Sequence, residues 1–269
     1  MLTLTLKESL TVPLEAEVLS PDVLAPLAHA EVRAQPVMLG KRRLRLDEFF
    51  DIEGDGSDDI EIRGDLTKVK WIGRAMTRGR VRVVGNVGMH LGAYMKGGSI
   101  EVTGNATDWV GGEMGGGTIH LRGNAGAQLG SAYRGSMSGM SGGTILVEGS
   151  AGIEIGMRMK RGLIAVRGPV RDFAGLQMKG GTIVLMSGAE QRTGAWMTRG
   201  TIISLAPLKL MPTFAPACVY NPSFMGVYAK HLAGLGFALP HEAGDGGYQR
   251  HIGDASVPGK GEIVVWQPK

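Results

Sequence analysis

Residues 144–200 read TILVEGSAGIEIGMRMKRG, LIAVRGPVRDFAGLQMKGG and TIVLMSGAEQRTGAWMTRG, three consecutive 19-residue segments that align without a gap. The same unit fits twice within residues 80–117, and residues 118–143 fit it with seven additional residues. A longer first copy occupies residues 59–79, and a partial copy begins at Thr201 and soon reaches prolines. A fixed period of this length indicates a repeat architecture, in which each unit packs on its neighbours.

Four apolar columns run through the aligned copies. The first two lie two residues apart, which is the spacing of side chains on one face of a β-strand. Their members are Ile60, Val81, Ile100, Ile119, Ile145, Ile164 and Ile183, then Ile62, Val83, Val102, Leu121, Val147, Val166 and Leu185. The third holds Ile72, Leu91, Val110, Leu129, Ile155 and Ala174, and the fourth Met76, Met95, Met114, Tyr133, Met159, Met178 and Met197. Each copy is therefore expected to add a short strand to a shared core.

This pattern predicts an all-β fold, a right-handed parallel β-helix of about seven 19-residue coils over residues 56–205. Stacked coils would lie about 4.8 Å apart, the spacing of hydrogen-bonded strands. The right-handed form follows from the usual handedness of parallel crossovers. The glycines that recur in columns are predicted to provide tight turns with positive φ.

The two ends of the chain depart from the repeat and are predicted to cap it with helices. Residues 1–55 form the N-terminal capping segment, where Ser20 and Pro21 mark a helix start. Residues 206–269 form the C-terminal segment, where Asn221 and Pro222 begin a second helix. Its predicted apolar face consists of Phe224, Val227, Tyr228, His231 and Leu235. This helix and tail are expected to pack on the last coil or on the rest of a complex.

Composition narrows the class of protein. The net charge of +4 and the mixing of basic and acidic residues permit an anionic partner without requiring one. The single cysteine, Cys218, rules out an intrachain disulfide, fits a reducing cytoplasm and is expected to be buried and structural. The sequence contains no long apolar run and no signal peptide. We therefore expect a cytoplasmic chain with neither a membrane nor nucleic acid as partner.

Patterns typical of catalysis are missing from the sequence. The glycines follow G-x-x-G-x-x-x-G, which differs from the dinucleotide and P-loop motifs. The histidines form no HxH or HxxxH pair, so we predict no metal ligands. Asp108 and Asp172 share a column several coils apart, and Glu154 and Asp172 are expected to be solvated acids. We predict no catalytic residues in this chain.

One surface column is basic. Lys96, Lys160, Lys179 and Arg199, together with Arg78 and Arg161, follow the methionine column. These charges either keep surface turns soluble or form a track for an acidic partner or a polyanionic ligand. Aromatic residues do not interleave with the stripe, which argues against single-stranded nucleic acid.

Three motifs within this repeat resemble the C subunit of formylmethanofuran dehydrogenase. They are GNVGMH (85–90), DWVGGEMGGG (108–117) and AYRG (132–135), the last opening the insert predicted at residues 134–140. The resemblance extends over the chain except for about the last forty residues. The repeat is also similar to the C-terminal domain of the glutamate synthase large subunit.

The resemblance implies a non-catalytic scaffold within a larger enzyme. In methylotrophic bacteria, the related formyltransferase/hydrolase complex moves a formyl group from formyl-tetrahydromethanopterin to a methanofuran-type cofactor and releases formate. The chemistry is expected on partner subunits, the amidohydrolase-like A and B subunits and the formyltransferase D subunit. The cofactor's glutamate-rich tail gives Lys96, Lys160, Lys179 and Arg199 a possible ligand.

Three alternatives remain open at this point. The first is the C subunit of an archaeal-type molybdenum or tungsten formylmethanofuran dehydrogenase, which reduces carbon dioxide onto methanofuran. The second is a glutamate synthase-like module that supports an ammonia tunnel. The third is an independent polysaccharide-degrading β-helix, which would need a cleft of acidic residues that the columns do not provide.

Overall fold

The computed structural model describes residues 1–240, 243 and 246–267. This part of the chain is mostly β and forms a mixed sheet of 13 strands beside a smaller sheet of four strands. The long sheet includes strands from both ends of the chain as well as from every copy of the repeat. The predicted all-β class agrees with this architecture.

The N-terminal segment begins the long sheet and supplies most of the small one. Its elements are β1 (Leu2–Leu6), β2 (Leu14–Glu15), α1 (Pro21–Leu24), α2 (His29–Arg33), β3 (Pro36–Leu39), β4 (Arg42–Arg45), α3 (Leu46–Phe49) and β5 (Phe50–Glu53). Helix α1 begins at Pro21 as predicted, but it is only four residues long. β1 pairs in parallel with the first repeat strand, which places Leu2 beside Ile60 and Leu4 beside Ile62.

The repeats form the parallel centre of the long sheet. Their strands are β6 (Asp59–Arg63), β7 (Val69–Lys70), β8 (Arg80–Val84), β9 (Lys96–Val102), β10 (Gly116–Leu121), β11 (Ser141–Val147), β12 (Arg161–Val166), β13 (Lys179–Leu185) and β14 (Arg199–Ser204). Apart from β7, which joins the small sheet, each pairs in parallel with the strand of the next copy. A second row of parallel bridges joins Leu66, Val87, Ala106, Ala125, Ala151, Val170 and Ala189. Each copy thus returns to the same two positions, one strand further along.

The four predicted apolar columns are buried in one core, with one correction. In the copy that carries additional residues, Met140 and not Tyr133 occupies the methionine column. The Met140 N–H donates to the Gly130 carbonyl at 2.9 Å, and the next N–H, of Ser141, donates to the Met114 carbonyl at 2.7 Å. The additional residues therefore loop out before the methionine, and the regular pattern resumes at Met140.

Glycine is required beside the third column, where the backbone approaches an isoleucine of a later copy. At Gly111, φ is +61°, and an added Cβ would lie 2.5 Å from Cδ1 of Ile145. Gly92 has the same φ of +61° and the same 2.5 Å approach, to Cδ1 of Ile119. The isoleucine of one copy thus fills the space left by the glycine two copies before it, which explains both columns together.

The C-terminal segment extends the sheet further. Its elements are β15 (Ala215–Tyr220), α4 (Phe224–Gly234), β16 (Gly247–Gly253) and β17 (Gly261–Gln267). β17 pairs in parallel with β14, and β16 and β15 follow it in antiparallel order. The helical caps predicted for both ends are not confirmed, because strands continue the sheet there. A strand satisfies the free N–H and C=O groups of a terminal repeat strand, which a helix end-on does not.

Helix α4 lies on the outer face of the sheet. Its buried residues Met225 and Leu232 belong to a cluster with outward-facing sheet residues, including Leu146, Val184 and Ile203. The predicted apolar face was wrong at Val227, which is 70% exposed, and at His231, which is also exposed. The physical reason is that α4 contacts the outer face of the sheet through Met225 and Leu232, which leaves Val227 facing solvent. The same outward position is polar in the early copies (Glu61, Arg82, Glu101, His120) and apolar in the later ones (Leu146, Ala165, Val184, Ile203).

Within the described residues, no helix combines the length and apolar character needed to cross a membrane.

Candidate functional site on the corner of the repeats

A short turn around the third apolar column forms one corner of each copy, and its backbone is unusual. Two non-glycine residues in most of these turns have positive φ, which is uncommon for residues with a side chain. The first ladder is Trp71, His90, Trp109, Gln128, Glu154, Phe173 and Arg192; the second is Ala75, Tyr94, Glu113, Arg158, Gln177 and Trp196. We call the surface formed by these two ladders the corner face.

Hydrogen bonds between copies account for the positive φ values. The His90 N–H donates forward to the Asp108 carbonyl at 3.1 Å, and the Tyr94 N–H donates forward to the Gly112 carbonyl at 2.9 Å. The Gly92 N–H between them donates backward to the Ile72 carbonyl at 2.8 Å. Non-glycine residues in this region cost about 1–2 kcal/mol each, and the bonds between copies offset that cost. The side chains of the ladders remain half-buried or exposed, so the residue type there is free to vary.

Aromatic rings stack at the end of the corner face that the early copies form. The aromatic cluster consists of Trp71, His90, Tyr94, Trp109 and Tyr133. The ring centroids of Trp71 and His90 lie 4.0 Å apart with an interplanar angle of 11°, and those of Trp109 and Tyr133 lie 4.6 Å apart at 15°. The Arg74 guanidinium lies 5.5 Å from the Trp71 ring centre. Such a platform is suited to contact with a flat or apolar group.

His90 is the polar centre of the aromatic cluster. Its Nδ1 lies 2.9 Å from the Tyr133 hydroxyl oxygen, within hydrogen-bonding distance. Burial, and after it the positive charge of Lys70, lowers the pKa of His90 to about 4. Burial also raises the pKa of Tyr133. Both groups are therefore neutral at neutral pH, and the cluster favours binding over proton transfer there.

The additional residues 133–139 form a strap across the corner face, anchored first at Tyr133. The Tyr133 N–H donates to Oε1 of Glu113 at 3.0 Å, and the ring stacks on Trp109. Gly112 makes room for this ring, since an added Cβ would lie 2.8 Å from the Tyr133 hydroxyl oxygen. The upstream end of the strap is thus part of the aromatic cluster.

Two cations from later copies hold the other end of the strap. The Arg158 guanidinium donates to the Ser136 carbonyl and, through Nε, to the side-chain oxygen of Gln177 at 2.7 Å. Lys179 Nζ donates to the Met137 carbonyl at 2.8 Å. The strap is therefore fixed at both ends.

A groove lies between the strap and the last turn of the corner face. It is lined by Met137, Arg158, Gln177, Lys179, Trp196, Thr198 and Val257. The walls are apolar and open to solvent, since Met137 is 66% exposed and Trp196 is 49% exposed. The basic side chains lie between these walls, so the groove combines apolar contact with positive charge.

The predicted basic stripe is only partly continuous. Lys179 and Arg199 are directly paired positions in adjacent strands, and Lys160 belongs to the copy before Lys179. Lys96 lies three copies upstream of Lys160, about 14 Å away along the stack. Lys96, Lys160 and Arg199 are exposed, whereas Lys179 is half-buried beneath the strap. The structure thus brings Lys160, Lys179 and Arg199 together and leaves Lys96 apart.

The four predicted stripe residues are not paired with acidic side chains in the part of the chain that the structure describes. Across residues 1–240, 243 and 246–267, none of the four forms an ion pair with aspartate or glutamate. Arg78, from the same stripe, differs because it pairs with Asp58 at 3.3 Å. The positive charge at the later copies is therefore available to a partner.

The other candidate residues are engaged elsewhere or exposed. Asp108 accepts the Ala127 N–H at 2.7 Å, Glu154 accepts the Gln128 side-chain amide at 3.0 Å, and Asp172 pairs with Arg192. In the described part of the chain, no group of three or more histidine, cysteine, aspartate or glutamate side chains is arranged to hold a metal ion. The expectation that Cys218 is buried was wrong. It lies on β15, at the edge of the sheet, where side chains face solvent.

The aromatic cluster was missed by the sequence reasoning, although a signal for it exists. Trp71, His90 and Trp109 occupy the same position in three consecutive copies, directly before the third apolar column. Consecutive copies stack, so rings in one column must meet. Tyr133 carried no comparable signal, because its place in the alignment depended on where the insert begins.

The chain is similar in sequence to a motif family and to subunits of known enzyme complexes. The GXGXG motif family matches residues 66–212. The C subunit of the tungsten-containing formylmethanofuran dehydrogenase 2 from Methanothermobacter thermautotrophicus is 41% identical over 95 residues, covering 34% of this chain and 35% of that protein. The Fhc C subunit of the formyltransferase/hydrolase complex from Methylorubrum extorquens is 35% identical over 91 residues and 34% of each chain. The matched segments thus span about a third of these relatives.

A solved structure provides the full-length match. It is the crystal structure of the formyltransferase/hydrolase complex FhcABCD from Methylorubrum extorquens in complex with methylofuran. One of its chains superposes with a TM-score of 0.92 at 33% identity, covering 99% of this chain and 100% of that one. The chain belongs to the family of formylmethanofuran dehydrogenase C subunits. The resemblance predicted from the three sequence motifs is therefore confirmed.

Proposed function

We propose that this member of the C-subunit family is the non-catalytic structural subunit of a formyltransferase/hydrolase complex. That complex would move a formyl group from formyl-tetrahydromethanopterin to a methanofuran-type cofactor and release formate, in the cytoplasm. The observation that carries the proposal is the superposition over the full length with a chain of the FhcABCD complex. The partners are amidohydrolase-like A and B subunits and a formyltransferase D subunit.

The scaffold role rests on the way the repeat divides its side chains. The apolar columns serve the core, and the corner face carries aromatic and basic groups on a frame held by hydrogen bonds between copies. Such a rigid surface suits the docking of other subunits. The carboxylates Asp108, Glu154 and Asp172 each have a partner of their own within this chain, which fits a structural role for them.

The frame of this subunit is a right-handed parallel β-helix of about seven 19-residue coils at residues 56–205. Residues 1–55 and 206–269 are its N-terminal and C-terminal segments. Support comes from two rows of parallel pairing that repeat from copy to copy, one of strands and one of single bridges. The right hand follows from the usual handedness of parallel crossovers.

The basic stripe binds either the anionic tail of a methanofuran-type cofactor or an acidic surface of a partner subunit. Lys160, Lys179 and Arg199 form its compact part, and Lys96 is a separate contact upstream. None of them is neutralised by an acidic side chain in the described part of the chain. Charge attraction between exposed groups of this kind weakens as salt is raised.

A second candidate is the C subunit of a molybdenum or tungsten formylmethanofuran dehydrogenase. The favouring observation is local identity, which reaches 43% over 95 residues with the tungsten-containing dehydrogenase subunit from Methanothermobacter wolfeii. Shared repeats and motifs would produce such identity in either complex.

Affinity purification of the tagged chain from its native host distinguishes the candidates. Co-purification of amidohydrolase-like and formyltransferase polypeptides without molybdopterin or iron–sulfur proteins supports the formyltransferase/hydrolase complex. Co-purification of molybdopterin and iron–sulfur polypeptides supports the dehydrogenase instead. Recovery of the chain alone from a fresh lysate would contradict both.

The stripe is tested in the same purified complex. Lys96, Lys160, Lys179 and Arg199 are replaced by glutamate, singly and together. We expect reduced subunit assembly or reduced retention of the methanofuran-type cofactor, most clearly at low salt, where charge attraction is least screened. Unchanged assembly together with unchanged cofactor content would remove the stripe from the proposal.

A further inference from the structure

We infer that the groove between Met137 and Trp196 is a docking site for an extended segment of a partner subunit, one that places a carboxylate beside an apolar side chain. This inference rests on the proposed function, because it requires that partner subunits exist. It goes further by assigning one place on the chain and the chemistry of what binds there.

Trp196 forms one wall of the groove and gives the first reason to expect a docking site there. The same backbone position, with similar positive φ, is occupied by Ala75 and Gln177 in other copies, so folding does not require a tryptophan there. Trp196 nevertheless exposes 49% of its surface. A tryptophan buries roughly 150–250 Å² when it is covered, which makes it one of the strongest contributors to a protein interface.

Met137 provides the opposite wall. It lies in the strap, is 66% exposed, and has its backbone carbonyl held by Lys179. A fixed backbone with a flexible, exposed thioether side chain adapts to the shape of an incoming group. Two exposed apolar side chains, Met137 and Trp196, therefore line one groove, whereas the apolar columns of the repeat are buried.

The charge between the walls identifies the polar part of the partner. Among the residues that the structure describes, the side chains of Arg158 and Lys179 donate to the neutral oxygens of Ser136, Gln177 and Met137 and to no carboxylate. Lys160 and Arg161 add positive charge in the copy that contains Arg158, and Arg199 adds it in the copy after Lys179. No aspartate or glutamate lines this groove among the residues that the structure describes. A carboxylate placed there would form hydrogen bonds in which donor and acceptor carry opposite charges, whereas the present acceptors are neutral oxygens.

The groove favours a protein segment over a small ligand. Small-molecule sites are usually enclosed and bury most of their ligand, whereas this groove is open and its apolar walls stand apart. Tryptophan, methionine and arginine are enriched at the centres of protein interfaces. A segment with an apolar side chain between Met137 and Trp196 and a carboxylate at Arg158 and Lys179 matches both features.

The test uses the tagged full-length chain, purified with its partner subunits from the native host. The variants are Trp196→Ala and Lys179→Glu. The matched controls are Val227→Ala and Lys230→Glu, which change an exposed apolar and an exposed basic residue on α4. Thermal unfolding of each isolated chain establishes that all four variants fold.

We expect Trp196→Ala to weaken retention of a partner subunit by about tenfold or more, the effect typical of an interface hot spot. Lys179→Glu should weaken it as well, with the difference from wild type shrinking as salt is raised from about 0.05 to 0.5 M. The α4 controls should retain all subunits.

The outcomes separate the two proposals. A wild-type chain that retains no subunit overturns the proposed function. A wild-type chain that retains its subunits, with Trp196→Ala and Lys179→Glu retaining them equally well, overturns the groove alone. Loss of cofactor without loss of any subunit also overturns it, since the groove would then bind a small anion.

Discussion

In each copy, one turn contributes side chains both to the core and to the corner face. From copy to copy, the residue type is nearly constant in the core and varies widely on the corner face. Inside, the methionine column is uniform from Met76 to Met197, and every member is fully buried. On the corner face, nearly the same backbone angle carries tryptophan, histidine, glutamate, phenylalanine or arginine. Parallel stacking gives the members of an inner column similar apolar surroundings, so each column accepts only a narrow range of apolar side chains. Outer side chains meet solvent and are free to differ.

The difference shows how a repetitive frame acquires individual sites. Hydrogen bonds between copies hold the corner backbone regardless of which side chain it carries. The aromatic cluster then occupies one end and the basic groove the other, and the strap lies between them. Stability is therefore expected to depend mainly on the inner columns and binding mainly on the corner face.

The largest effect on stability is expected from Gly111→Val. The new side chain would start 2.5 Å from Cδ1 of Ile145, on a residue whose φ is +61°. Overpacking and backbone strain together should cost about 3 kcal/mol or more in the free energy of unfolding. Urea unfolding followed by circular dichroism measures the loss. Gly226→Ala is the control, since an added Cβ at this α4 position meets no atom within 4 Å.

If Gly111→Val unfolds at the wild-type urea concentration, the fit between a glycine and the isoleucine two copies later does not limit this fold. In contrast, Gly226→Ala should be neutral or slightly stabilising, because alanine favours helix by about 1 kcal/mol over glycine.

The next largest effect on stability is expected from Met140→Ala, and Met137→Ala, three residues away, is its control. Met140→Ala should lower the free energy of unfolding by about 2–4 kcal/mol, because it empties a fully buried position in the core. Met137→Ala should change it by less than about 0.5 kcal/mol, because that side chain is 66% exposed. Equal effects of the two substitutions in urea unfolding would mean that Met140 does not occupy the inner column.

The smallest effect concerns the pH dependence of the aromatic cluster. The unfolded chain takes up a proton at His90 near the ordinary histidine pKa of about 6.5, whereas burial and the charge of Lys70 lower the folded pKa to about 4. Because the unfolded state then binds more protons, this histidine should reduce stability as pH falls from about 6.5 to about 4. The expected loss is on the order of 1–3 kcal/mol.

The comparison of His90→Phe with wild type isolates this effect. Phenylalanine keeps the ring between Trp71 and Trp109 but cannot be protonated, so acidification should destabilise the variant less. Tyr133→Phe is the control, because it removes only the hydroxyl near His90 Nδ1 and should retain the wild-type loss. Thermal unfolding at pH 7.5 and 5.0 provides the measurement, and parallel losses in His90→Phe and wild type would speak against a buried neutral histidine.

Much of the strand pairing and core could be predicted because the same apolar pattern recurs in every copy of the repeat. The residue pairs Ile100–Ile119 and Ile145–Ile164 are directly opposite in adjacent strands, as the alignment implies. The errors occur where the repetition is interrupted. Tyr133 was misplaced because the insert can be opened at several points in the alignment, and only burial and backbone hydrogen bonds in the structure identify Met140 as the core residue.

The ends and the candidate site depended on contacts between distant segments. Val227 was placed on the buried face of α4 because periodicity alone does not tell which surface a helix meets. The cationic groove likewise depends on the strap, whose tip reaches Arg158 and Lys179 in later copies. No local pattern in the strap indicates where its tip will lie.

By itself, the sequence determined the repeat, the core columns and the family, because like residues at a constant period must stack and each stack must bury its apolar members. The tertiary structure alone decided which methionine completes the core, how strands extend both ends of the sheet, and where the strap places Tyr133 and its tip on the corner face. Those features rest on contacts between residues far apart in the chain, and such contacts leave no periodic trace in the sequence.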